Sequence, residues 1–214
     1  MKTYCLILTI CVLGLALGAW AQSSPAPSAA PNANAQPVGP TAPQPATTIQ
    51  QRKTDQQDRI ANGLDSGQLT AGETRNLETQ ESDLNKEEHD MRKLDDGHLT
   101  SADRQTLNQQ QNQLSKQIYQ DKHNAATAAQ PGSELNDRRV DQRDRIANGI
   151  RSGQLTAGET AHLENREVQT NRTEAAMKAA DGGKLTAGDR AQLNRQFNHT
   201  SRAIYRDKRN GRVR

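Results

Sequence analysis

The chain has 214 residues, with 28 Lys and Arg against 25 Asp and Glu, a formal net charge of +3 and a mean hydropathy of −0.98. Beyond an apolar start, residues 22–214 hold only 24 Leu, Ile, Val and Phe and three aromatics, Tyr119, Phe197 and Tyr205. That is far below the share an ordinary globular domain devotes to its core, so it excludes one large hydrophobic interior and, with it, a deep apolar substrate pocket.

Residues 1–21 have the layout of a secretion signal: Lys2, an apolar run from Cys5, and Ala19-Trp20-Ala21 before a cut at Gln22. The run is shorter than the ~20 residues of a spanning helix and no basic cluster follows it. Ile10 before Cys11 does not suit a lipoprotein site, which wants a small residue there. Both cysteines, Cys5 and Cys11, would leave with the signal, so the exported chain would have no disulfide and no thiolate. The expected location is periplasmic or secreted.

Residues 22–50 form a Pro/Ala-rich stretch, with seven of the eight prolines and no charge before Arg52, expected to be a disordered tether. Residues 125–137 make a second linker around Pro131-Gly132. Between and after them lie two blocks, 51–124 and 138–214, that repeat one another at a constant offset of 86. Asp58-Arg59-Ile60-Ala61-Asn62-Gly63 recurs at 144–149, and 39 of the 70 pairs between 55–124 and 141–210 are identical. This is a tandem duplication.

A shorter period of 30 runs inside each block. Leu64, Gly67, Leu69, Thr70, Glu73 and Leu77 align with Leu94, Gly97, Leu99, Thr100, Asp103 and Leu107. Gly67 can adopt the left-handed conformation that ends a helix, and Thr70 with Glu73 makes a capping box for the next. Thr156 with Glu159 repeats it, and Thr100–Asp103 and Thr186–Asp189 are shorter versions. Leu77, Leu84, Met91 and Leu94 form a helical stripe, as do Leu107, Leu114 and Ile118. The expected fold is all-α, two homologous three-helix modules, with helices near 52–65, 71–94, 101–123, 138–151, 157–179 and 187–209. The expected core is Ile60, Leu64, Leu69, Leu77, Leu84, Leu107 and Leu114 with their equivalents 86 residues on. So small a core would be marginal in one module, so the modules are expected to pack together or to oligomerise.

The Gly-x-Leu-Thr-x-x-acid turn resembles a degenerate EF-hand loop, and also the short helical module SHOCT and the turn repeats of uncharacterised exported bacterial proteins. The EF-hand resemblance would make Glu73, Asp103, Glu159 and Asp189 calcium ligands, but most other ligand positions are missing: with Gly67 at loop position 6, position 3 is Leu64. The residues favour caps over metal. His89, His98, His123, His162 and His199 recur in no pair at offset 86 and are expected on the surface. No catalytic fingerprint is present, and the carboxylates are expected on helix surfaces facing basic residues, so the chain is read as non-enzymatic, without small-molecule substrate or cofactor. The sequons at Asn171 and Asn198 are not expected to carry glycan in a bacterial-style export route.

Charge is unevenly split. Residues 51–124 carry −4 and residues 131–214 carry +6. The reading is therefore an exported structural or interaction module of the cell envelope, with self-association or an envelope protein as partner. The alternatives are weak calcium binding and polyanion binding (lipopolysaccharide, anionic lipid or nucleic acid) through the second module. Polyanion contact would fall to Arg202, Arg206, Lys208, Arg209, Arg212 and Arg214. Sequence-specific nucleic-acid reading is disfavoured, because only Phe197 and Tyr205 could stack there.

Overall fold

The computed structural model describes residues 48–129 and 131–212. The expected signal, residues 22–47 of the tether, and Arg214 lie outside the described residues. Those described form six α-helices and no strand: α1 (Ile49–Asp65), α2 (Ala71–Leu94), α3 (Ser101–Lys122), α4 (Glu134–Arg151), α5 (Ala157–Ala180) and α6 (Ala187–Asp207). α1 and α4 start earlier than their apolar pattern suggests. Thr48 caps α1 in a box with Gln51, and Ser133 caps α4 by accepting the Asn136 N–H.

Caps set the other boundaries. Thr70, Thr100, Thr156 and Thr186 each accept the N–H three residues on, while Glu73, Asp103, Glu159 and Asp189 accept the threonine N–H in return. Each box satisfies two of the four N–H groups a helix start leaves unpaired. Gly67 and Gly153 take φ of 74° and 69°, reversing the chain after α1 and α4. The chain then folds back so that Leu69 N–H donates to Gly63 O and Leu155 N–H to Gly149 O, and both leucines are fully buried. Between α2 and α3 the turn is Asp96-Gly97, with Asp96 left-handed at φ 51°; α5 and α6 use Gly182-Gly183.

The apolar interior is shared by the two halves. One cluster joins Ala61 and Leu64 of α1 to Ile146, Ala147 and Ile150 of α4, together with Leu155, Leu163, Ala203 and Ile204. A second gathers Ile60, Leu69, Leu77, Leu84, Leu107, Leu114 and Ile118, and a third Leu135, Leu193 and Phe197. Two expectations fail. Leu94, assigned to the α2 stripe, is 84% exposed, because α2 ends there and the chain turns away. Leu84 and Leu114 have no apolar equivalents: Thr170 and Thr200 stand there, both buried, and the Thr170 hydroxyl donates back to Arg166 O.

Polar contacts repeat 86 residues apart. Gln56 Nε2 donates to Gln111 O and Ser115 Oγ, and Gln142 Nε2 to Phe197 O and Ser201 Oγ. α2 and α5 run antiparallel: the Gly72 Cα faces Val168, the Gly158 Cα faces Ser82, and Arg75 donates to Asn165 between them.

Candidate functional site

The turn carboxylates are engaged within the protein. Glu73 Oε2 accepts from Thr70 N–H and hydroxyl, at 2.8 and 2.7 Å, while its Oε1 accepts from Asn124 Nδ2 at 2.6 Å. Glu159 does the same with Thr156 and Asn210, and Arg212 lies 3.7 Å from its Oε1. Burial disfavours the charged form of Glu159, but the hydrogen bonds from Thr156 and Asn210 outweigh it and hold the carboxyl below the usual range. Asp103 and Asp189 are held low by the hydroxyl, then the N–H, of Thr100 and Thr186. Among the described residues no three His, Cys, Asp or Glu side chains are gathered as a metal centre would need.

The expectation that carboxylates face solvent is overturned along the seam of α2 and α5. Glu78, Glu81 and Glu164 are buried there and Glu167 nearly so, while further along the same helices Glu88 is buried and Glu174 nearly so against α1 and α4. Two helices with so few large apolar residues cannot cover each other with hydrocarbon alone, so their contact face includes polar groups, which need partners once buried. Gln57 Nε2 donates to Glu78 Oε2 at 2.9 Å. Lys53 and Arg92 clamp Glu88 at 2.6 and 2.8 Å, and Arg139 and Lys178 clamp Glu174. Burial pushes Glu88 and Glu174 up, but these cations outweigh it and leave both carboxyls below the usual range.

Glu164 and Glu167 go the other way. Burial, the neighbouring Glu167 and Glu78, raise Glu164 well above the ordinary value, against the pull of Arg143. Burial raises Glu167 to about 7, with Arg139 opposing and Glu174 adding to it. Both line a small cavity of about 140 Å³ with Arg139, Gln142, Arg143 and Asn171, roofed by linker residues Thr127–Ala129. Ala128 N–H is pinned to Gly67 O and Ala129 O accepts from Arg143, so the linker is part of this wall.

The basic candidates do not form one patch. Arg206 is paired with Asp207, Arg212 approaches Glu159, and Arg209 stacks on the Tyr205 ring and donates to its hydroxyl. Lys208 turns back to Arg145 O, and burial together with Arg145 lowers its pKa. Arg202 is exposed on α6. The sequence reading missed a cleft of about 490 Å³ between α5 and α6, where Arg166, Arg195 and His199 meet over Thr170 and Thr200. All five histidines are exposed, but His199 is engaged: Arg166 Nη1 lies 2.9 Å from its Nδ1. The signal for the cleft was present at offset 86, where Gln80, Gln109 and Gln113 stand in the first half. No protein-family model, curated protein or solved structure matches the chain.

Proposed function

We propose that the protein is an exported, non-enzymatic interaction module of the cell envelope. In this reading a tandem duplication supplies two three-helix modules, and the second turns a basic surface towards an anionic partner. The observation that carries it is the way charge diverges on a shared backbone. Among the carboxylates that recur at offset 86, Glu78/Glu164, Glu81/Glu167 and Glu88/Glu174 are buried or nearly so, whereas exposed Asp83 and Asp90 give way to Gln169 and Ala176. The net charge thus differs between the halves, −4 against +6, while these buried carboxylates recur. A net positive charge on residues 131–214 favours encounter with an anion and makes binding salt-dependent.

The test is retention on heparin and on vesicles containing anionic lipid, across a salt gradient. The reading expects retention that falls steeply with salt and is weakened when Arg202, Arg206, Arg209 and Arg212 are together changed to Gln. Retention that ignores both salt and these four residues would refute it.

A further inference from the structure

We propose that the α5–α6 cleft is a discrete phosphate-binding site, one that takes a phosphate monoester carried on a sugar- or headgroup-sized molecule. This rests on the anionic-partner reading above but adds a defined pocket to it.

Three observations converge. The first is shape. Two large leucines of the first half, Leu84 and Leu114, are buried in a core cluster, whereas their counterparts Thr170 and Thr200 form the floor of the α5–α6 cleft. Replacing two isobutyl groups by hydroxyethyl groups removes hydrocarbon where the helices meet and leaves a polar-floored space. Its volume, about 490 Å³, falls in the range of small-molecule sites.

The second is charge. Around that space Gln80 becomes Arg166, Gln109 becomes Arg195 and Gln113 becomes His199, while Asp83 and Glu87 become Gln169 and Thr173. Among the residues lining the cleft one acidic group is lost and two guanidinium groups are gained, and a second acidic group is lost one turn further along α5. In the first half Glu87 ties α2 to α3 by accepting from Gln110 Nε2 at 2.8 Å; in the second half Thr173 instead bonds its own helix, through Gln169 O.

The third is donor availability. Arg166 Nε is buried and has no hydrogen-bond partner among the described residues, while its Nη1 is held by His199. The guanidinium is therefore anchored at one end by His199 while it lines the cleft. Arg195, exposed across the cleft, has no ion-pair partner among the described residues. Guanidinium groups match phosphate oxygens with paired, charge-assisted hydrogen bonds, and a monoester brings up to two negative charges and three acceptor oxygens. A carboxylate has only two oxygens and one charge, so it would leave part of this donor set unused.

The experiment is a titration of the purified protein with inorganic phosphate, followed residue by residue by NMR, beside a vesicle arm with phosphatidic acid in neutral lipid. The expected result is saturable shifts at Arg166, Arg195 and His199. Two variants are compared: Arg166→Gln with Arg195→Gln, which removes the charge, and Thr170→Leu with Thr200→Leu, which fills the cleft with the first half's own residues and keeps every charge. Each is expected to weaken phosphate binding at least about tenfold, the scale of one lost charge-assisted bond. The leucine variant keeps heparin retention, which separates failure of the pocket from failure of the anionic-surface reading. Vesicle binding lost in both variants assigns the phosphate to a lipid headgroup; vesicle binding kept in the leucine variant, with free phosphate lost, assigns it to a soluble monoester. No saturable shift at the cleft, or shifts that survive the leucine variant, overturns the proposal.

Discussion

Arg151 Nη2 donates to Asp65 Oδ2 at 2.6 Å, and the two residues stand 86 positions apart. Each is the counterpart of the other, at the end of α4 and of α1. The same position in each half therefore meets itself where these helices cross, with Asn62 also accepting from Arg151. Were the halves identical here, two like charges would touch. Asp65→Arg and Arg151→Asp should each destabilise the fold, and the exchanged double variant should recover. The side chains are 43% and 32% exposed, so the coupling should be modest, about 0.5–1 kcal/mol, read as a double-mutant cycle of urea midpoints. A coupling of zero would mean the halves are held together without regard to this charge pair.

Stability should respond to pH through Glu167. Its folded carboxyl lies at about 7, raised first by burial, while Arg139 from α4 pulls it down and Glu174 on α5 pushes it up. The folded state then holds this proton through a range in which the unfolded chain has lost it. Stability from this group is complete below about pH 4.5 and lost as pH rises to about 7, a swing of at most about 3 kcal/mol. Glu88, Glu174, Asp103 and Asp189 work oppositely, because their lowered carboxyls stabilise above the usual range and fail as acid protonates them. The melting temperature should therefore peak near about pH 5 and fall by several degrees at about pH 8. Glu167→Gln should flatten the fall above the peak. A melting temperature that keeps climbing from pH 5 to 8 in the native protein would contradict this.

Much of the architecture was written locally. Thr-x-x-Glu and Gly-x-Leu spacings mark helix ends because a cap is a contact between residues three apart, and α2 runs over the expected 71–94. The early start of α1 was less visible, since its box closes with Gln51 rather than an acid. The seam was harder because helical patterning assigns charged residues to solvent. Leu77, Glu78, Glu81, Leu84 and Glu88 share one face, and only the fold shows that this whole face is buried, with α1 and α3 packed against it. The cleft depends on what is missing at Thr170 and Thr200, and a missing methyl group has no meaning until its neighbours are known.

Gly149 offers a case in which helix propensity and packing oppose each other. Alanine in mid-helix should gain about 1 kcal/mol over glycine. At Gly149, however, a Cβ would lie 2.6 Å from Leu155 Cδ1 and 2.7 Å from its Cγ, and Leu155 is fully buried. Overpacking of this kind costs about 1–3 kcal/mol, so Gly149→Ala should be net destabilising by about 1 kcal/mol or more. Gly63→Ala should behave alike, with Leu69 at 2.8 Å. Gly188→Ala is the control, since its nearest neighbour would be Thr186 Oγ1 at 3.6 Å, and it should be neutral or stabilising. Three thermal melts decide it: if Gly149→Ala melts higher than the native chain, the close approach of Leu155 does not limit the packing.

Calcium should leave the melt unchanged. To bind it, Glu73 would have to release Thr70 and Asn124, and Glu159 would have to release Thr156 and Asn210 while displacing Arg212. Each release exposes an N–H at a helix start, where the net value of a cap is about 1 kcal/mol. A weak oxygen site with few other ligands could not recover two such losses at millimolar calcium. The protein should therefore melt at the same temperature in EDTA and in several millimolar calcium, by far-ultraviolet circular dichroism. Thr70→Ala and Thr156→Ala should each lower the midpoint by the worth of one cap, and both together by the sum, because the two turns share no hydrogen bond. A rise in melting temperature with calcium, lost on Glu73→Gln with Glu159→Gln, would instead make these carboxylates metal ligands first and caps second.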